Sequence, residues 1–152
     1  MRLVLICGVN ATGQGGAPKS TLELALALQS RGHRVTLMGD YSGSPADRES
    51  ILGSGLSYIE RSMKGLISFP LLFLRRFVLG ARPDMVISTH RGCDIMTALS
   101  LEGTGAAHGS VVRMLPSFGS ENQLMTDRVR NWLWYRTLRG VDLLVCVSGL
   151  VR

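Results

Sequence analysis

Acidic side chains are scarce in this chain. Eleven Asp and Glu stand against 17 Lys and Arg in 152 residues, leaving a formal charge of +6 and a pI near 9.9. A basic balance of this size favours an anionic partner. Nucleic acid, anionic lipid headgroups and the phosphates of a sugar nucleotide would all answer such a field, so charge alone does not choose among them. Cysteine is also sparse: Cys7, Cys93 and Cys146 form no CxxC pair and have no histidine cluster beside them, which argues against a zinc site or a disulfide scaffold. Cys7 and Cys146 fall in apolar runs that read as buried strands, where a free thiol behaves as a small hydrophobe. Long apolar runs are missing as well. The longest spans Gly65 to Leu74, well short of the roughly 20 residues a membrane-spanning helix needs. The opening MRLVLICGVN is too short for a signal-peptide core and is broken by Gly8 and Asn10, so it reads as a strand of a cytoplasmic protein.

What is present is enough for one core. The chain is 45% hydrophobic and 18% charged, a composition that argues against disorder. Its length suits one domain and is too short for two α/β lobes. No repeat, low-complexity tract or internal linker interrupts it. Strand and helix signals alternate. Arg2 to Cys7 reads as a buried parallel strand, closed by a glycine-rich loop. Pro18 falls where a first helical turn tolerates proline, and STLELALALQSRG continues as a helix ending at Gly32. Arg34 to Met38 reads as a second strand, Tyr41 to Gly55 as a loop and Leu56 to Glu60 as a short third strand. Lys64 to Gly80 reads as a helix with a kink or late start at Pro70. DMVIST follows as a strand, Asp94 to Leu101 as a helix and Ser110 to Leu115 as a strand. Met125, Val129, Trp132 and Leu133 fall at i, i+4, i+7 and i+8, the period of an amphipathic helix. Asp142 to Val147 reads as the last strand. The expected fold class is α/β, a doubly wound, mostly parallel sheet with helices on both faces.

Such sheets bind ligands beyond the carboxyl ends of their strands. The residues placed there are Gly8 to Gly16, Asp40, His90 and Arg91, Pro116 to Phe118, and Ser148. The segment GVNATGQGGAPKST joins a strand to a helix. Its glycines permit close backbone approach, and the helix N-terminus offers free N–H groups to an anion. Gly13 to Ser20 nearly matches the ATPase pattern GxxxxGK[ST], but Pro18 replaces the second glycine. Proline removes a donor from a loop whose task is to wrap phosphates, so Lys19 reads better as a surface lysine.

In order along the chain stand GQGGAPKSTLELALALQSRGHRVTLMG, ARPDMVISTH, VVRMLPS and VDLLVCVSGLVR. Together they resemble the N-terminal domain of family 4 glycosyltransferases, over nearly the whole chain. RGHRV and DLLVCVS separate the chain from a partitioning ATPase, which shares only the KST-helix pattern. The resemblance implies a Rossmann-like domain spanning 1–152, one lobe of a GT-B enzyme, with the donor-binding lobe absent. It also implies a nucleotide-sugar donor bound mainly by that other lobe, and a saccharide or lipid-linked acceptor. No cofactor, metal or nucleic acid is called for. Gly15 and Gly16 match the turn approaching the donor diphosphate, and His90 the last histidine of the fourth-strand motif. Where the family often has a donor-contacting histidine, this chain has Pro116 beside Ser117, so no residue is assigned as catalytic.

Gly15, Gly16, His90, Arg91, Arg113 and Ser117 are therefore the candidate substrate contacts. Arg91 and Arg113 suit phosphate or plain solvent exposure equally. His33 and His108 read as turn residues and receive no role, and Asp94 reads as part of a helix N-terminus rather than a base. Trp132, Trp134 and Tyr135 read as core and rim of a helix. Arg61, Lys64, Arg75, Arg76 and Arg82 bracket the apolar Gly65–Leu74 run, with Glu60 and Asp84 nearby. That segment reads first as a helix covering the sheet, and second as a peripheral docking surface for anionic membrane. A degenerate P-loop ATPase and a saccharide-binding module without chemistry are the alternatives to glycosyl transfer.

Overall fold

The structure is a computed structural model that describes residues 1–7, 16–39, 49, 51–60, 68–112 and 125–146. Six strands, β1 (Arg2–Cys7), β2 (Arg34–Gly39), β3 (Ser57–Glu60), β4 (Met85–Ser88), β5 (Ala107–Val112) and β6 (Leu143–Cys146), form one sheet of order β3-β2-β1-β4-β5-β6. All five pairings are parallel. Among the described residues, helices α1 (Gly16–Ser30), α2 (Ser68–Ala81), α3 (Arg91–Leu101) and α4 (Met125–Leu138) connect or cover them. The strand order reverses between β1 and β4, as in a doubly wound Rossmann-like sheet.

Strand alternation divides the core in two. Leu3, Val35, Leu37, Ile87 and Val111 face α1 and pack with Ala25, Leu22 and Leu28. Val4, Met38 and Val86 face the other way, onto Leu74 and Val78 of α2 and Cys93, Met96 and Leu101 of α3. Leu37, Met38, Leu74 and Val86 are fully buried. Burying each such side chain contributes about 1.5–3 kcal/mol. Helix α1 ends as its sequence suggests: Gly32 adopts φ 82, its N–H reaches Gln29 O at 2.9 Å, and His33 N–H reaches Leu28 O at 3.2 Å. Those are the two bonds of a Schellman cap, and the left-handed position requires glycine.

The amino edge is tied by two aspartates doing the same task. Asp84 Oδ2 accepts the Arg2 N–H at 2.6 Å, joining the start of β1 to β4. Asp142 Oδ2 accepts the His108 N–H at 2.8 Å, joining β5 to β6. The aspartates of ARPDMVIS and VDLLVCVS are thus strand-entry clasps, at the opposite end from the expected ligand edge.

Helix α2 spans Ser68–Ala81, and residues 64–67 of the expected helix lie outside the described residues. Several local expectations need correction. Residues 51–53, expected in a loop, are helical and bury Ile51. Helix α3 begins at Arg91, three residues before Asp94, because His90 caps it. Strand β5 starts at Ala107, so His108 is a buried strand residue. Glycines shape the chain on both sides of that strand entry. Gly103 and Gly105 take φ 71 and 78 before the strand. Gly109 lies within it, where a Cβ would come to 3.3 Å from Ile87 Cγ1. Cys146 is exposed rather than buried, whereas Cys93 is buried. The apolar stripe on α4 is also reversed: Val129, Trp132 and Leu133 are exposed, while Asn131 and Trp134 are buried.

Candidate functional site

Two helix N-termini flank the reversal point of the sheet. Helix α1 leaves β1 on one face and begins at Gly16; α3 leaves the neighbouring β4 on the other face and begins at Arg91. Each turns the positive end of its helix dipole toward the same carboxyl edge. His90 is the N-cap of α3, with extended φ −150 and ψ 142. Its Nδ1 accepts the Gly92 N–H at 3.2 Å. In the neutral imidazole the proton then sits on Nε2, as a donor on an exposed ring. Arg91, half-buried beside it, donates from Nη1 to Oδ1 of Asn131 on α4.

Of the six candidate contacts, the structure places three at this edge: Gly16, His90 and Arg91. Gly15, Arg113 and Ser117 lie outside the described residues, as do the 8–15 loop, Asp40, Pro116 and Ser148. Lys19, the residue on which an ATPase reading depends, is exposed in the first turn of α1. Among the described residues no group of three His, Cys, Asp or Glu side chains is placed to hold a metal ion.

Directly beneath the α3 N-terminus lies a polar cluster that sequence reasoning missed. Asp94, 2% exposed, accepts three hydrogen bonds. Ser88 and Ser110 donate to Oδ1, Ser110 at 2.8 Å, and the Trp134 indole N–H donates to Oδ2. Three donors replace the water a buried carboxylate has lost. The Ser88 hydroxyl has one proton and gives it to Asp94, so it accepts from His108 Nε2–H at 2.9 Å. Burial lowers the His108 pKa below 6.5, partly offset by the negative charges of Asp94 and Asp142. Serine, histidine and aspartate thus meet, but in the wrong order for a nucleophile. The hydroxyl is bonded to the carboxylate instead of to a basic imidazole nitrogen, and all three are buried. The cluster is a support that locks β4, β5, α3 and α4 together under His90 and Arg91. Ser88 and Ser110 are register partners, a relation that only strand pairing reveals.

With this geometry established, comparison with known proteins identifies the relationship. The family described as Glycosyltransferase Family 4 matches residues 14–152. No curated protein matches the chain in sequence. Among solved structures, a glycosyltransferase from Rickettsia africae superposes with a TM-score of 0.70 at 18% identity, over 99% of this chain and 37% of its own. Anabaena Alr3699/HepE, solved in complex with UDP-glucose, gives 0.67 at 12% identity, over 95% of this chain and 36% of its own. A UDP-N-acetylglucosamine 2-epimerase homologue from Listeria monocytogenes gives 0.67 at 11%, over 97% and 38%. At these identities the likeness is one of fold. The chain spans well under half the length of each of these proteins.

Proposed function

The chain belongs to Glycosyltransferase Family 4, and from that premise we propose that it is the acceptor-side lobe of a glycosyltransferase. The enzyme would move a sugar from a nucleotide-sugar donor to a saccharide or lipid-linked acceptor. One observation carries this reading: the N-termini of α1 and α3 converge on the reversal point of a parallel sheet, with His90 and Arg91 at the rim. Backbone N–H groups and a guanidinium at such a place suit a diphosphate, whose growing negative charge in sugar transfer is met by fixed donors. Gly16 would let the backbone approach the phosphates, and His90 Nε2–H would donate to a sugar or phosphate oxygen. Gly15, Arg113 and Ser117 complete the proposed contacts. The UDP-glucose complex of a neighbour sharing the fold supports the donor class.

The donor-binding groups belong to a second lobe in this proposal, so 1–152 alone should show no appreciable turnover. Incubation of the purified chain with UDP-sugars tests this: transfer or steady donor hydrolysis contradicts the division of labour. The ATPase alternative makes the opposite demand. It requires magnesium-dependent ATP binding that Lys19→Ala abolishes, and calorimetric titration with and without magnesium separates the two.

A lipid-linked acceptor would place the protein at the cytoplasmic face of a membrane. Among the described residues no helix is long and apolar enough to cross one. The outer face of α2 instead offers Leu72 (57% exposed), Arg76 and Leu79 (51% exposed), spaced i, i+4, i+7. This is the pattern of a face that rests on anionic lipid. Arg75 is not part of it. Its Nη1 donates to Ser100 O at 3.3 Å and Glu102 O at 2.7 Å, binding the carbonyls at the end of α3. The docking test therefore reverses Arg76 alone: pelleting with phosphatidylglycerol vesicles should fall in Arg76→Glu, and unchanged pelleting removes this face as the anchor.

A further inference from the structure

Two side-chain hydrogen bonds tie α4 to the first turn of α3, and each joins residues 40 apart: Trp134 to Asp94, and Arg91 to Asn131. Positions 91 and 94 lie one turn apart on α3, as 131 and 134 do on α4, so the bonds form successive rungs of one clasp. The rungs differ in chemistry. The lower one joins a carboxylate to an indole inside the core, where both partners are almost fully buried. The upper one joins a half-buried cation at the carboxyl edge to a neutral amide with no exposed surface.

That amide is an odd choice for a purely mechanical link. Asn131 Nδ2 is buried and has no hydrogen-bond partner, and a buried donor without an acceptor is destabilising. A carboxylate at 131 would hold Arg91 more strongly and leave no orphan N–H. A leucine would leave none either. What the amide does, and neither of those can, is fix the guanidinium without cancelling its charge. Among the described residues no carboxylate pairs with Arg91. One N–H of the fork is used by Asn131, and the others remain for an anion that can accept two hydrogen bonds side by side, such as phosphate.

We propose that Asn131 is a positioning residue, holding Arg91 as an uncancelled, pre-oriented cation for the diphosphate group of a substrate. This rests on the reading of Arg91 as a substrate contact. Diphosphate is shared by a nucleotide-sugar donor and a lipid-linked acceptor, and two soluble probes separate them: uridine diphosphate and farnesyl diphosphate.

The test uses the whole chain at low salt, with calorimetric titration of each probe and thermal unfolding of each variant. Arg91→Met should weaken binding of at least one probe by about tenfold or more. Asn131→Asp should leave the thermal midpoint unchanged or raised, yet weaken the same probe by about tenfold, because the new carboxylate answers the Arg91 charge from within. Asn131→Ser, neutral but too short to hold the fork, should weaken it by about threefold. A purely structural role predicts the reverse for Asn131→Asp, with stability moved and affinity not. Losses confined to uridine diphosphate assign the cation to the donor, and losses confined to farnesyl diphosphate assign it to the acceptor. If the wild-type chain binds neither probe, or Arg91→Met binds both normally, the substrate role of Arg91 fails and the inference with it. If Arg91→Met loses binding while both Asn131 variants keep it, the inference alone fails. Should Asn131→Asp not fold, unchanged affinity in Asn131→Ser is enough to overturn it.

Discussion

The inner and outer faces of α4 follow opposite rules. Inward, Asn131 and Trp134 are 0% and 2% exposed, and each ends in a hydrogen bond to α3. Outward, Val129, Trp132 and Leu133 are 52%, 58% and 39% exposed, with the Arg136 guanidinium 5.6 Å from the Trp132 ring centroid. At the sheet edge, β6 leaves Leu143, Leu144, Val145 and Cys146 exposed, although a parallel strand is ordinarily covered on both sides. The comparison separates two kinds of contribution. The interior around Asp94 depends on particular partners, because an unmatched polar group in low dielectric is costly. The outer apolar surface is incompletely desolvated and contributes little to the folding of this domain.

The sharpest way to break that contrast is Asp94→Ala. It strands the hydroxyls of Ser88 and Ser110 and the Trp134 indole N–H in the core. The expected loss is about 3–5 kcal/mol in urea unfolding. Trp134→Phe removes one donor from a buried carboxylate and should cost about 1.5–3 kcal/mol in the same measurement. If either variant unfolds like the parent, the cluster is not the support described here.

Acidity probes the same interior from another direction. His108 has its pKa lowered in the folded state by burial, with Asp94 and Asp142 opposing. The unfolded chain therefore binds this proton more readily. The resulting stability is present above an unfolded pKa of about 6.5 and falls as pH drops below it, levelling only below the folded pKa. One proton allows a slope of at most about 1.4 kcal/mol per pH unit. His108→Gln should flatten the pH dependence of the urea midpoint just below 6.5, and an unchanged slope would assign it to other groups. The smallest effect belongs to the outer face. Trp132→Ser and Leu144→Ser should each change stability by no more than about 0.5 kcal/mol, while lowering self-association in light scattering. A loss comparable to that of Asp94→Ala would erase the distinction between the two faces.

Much of the fold was legible because its signals are local. The run from Arg2 to Cys7, the helix capped by Gly32 and the strand before Thr89 follow from hydrophobic period and backbone chemistry. The site was legible to the extent that strand ends place it: His90 and Arg91 stand where alternation of strands and helices puts them. Asp94, Ser88, His108 and Asn131 were not, since each looks ordinary among its sequence neighbours. Ser88 and Ser110 come from different strands, Trp134 from a helix 40 positions after Asp94.

Sequence alone therefore determined the element order, the parallel sheet and the edge that holds the candidate site, because periodicity, glycine and proline act over a few residues. Tertiary structure alone decided which way α4 faces. Its apolar period names Val129, Trp132 and Leu133 as the buried stripe, yet the helix turns Asn131 and Trp134 inward instead. The physical reason is long-range matching: buried Asp94 accepts the Trp134 N–H, and the Arg91 fork finds an acceptor on Asn131. The inward face still buries the large Trp134 ring, and it supplies the buried Asp94 with a donor that an all-apolar stripe would lack.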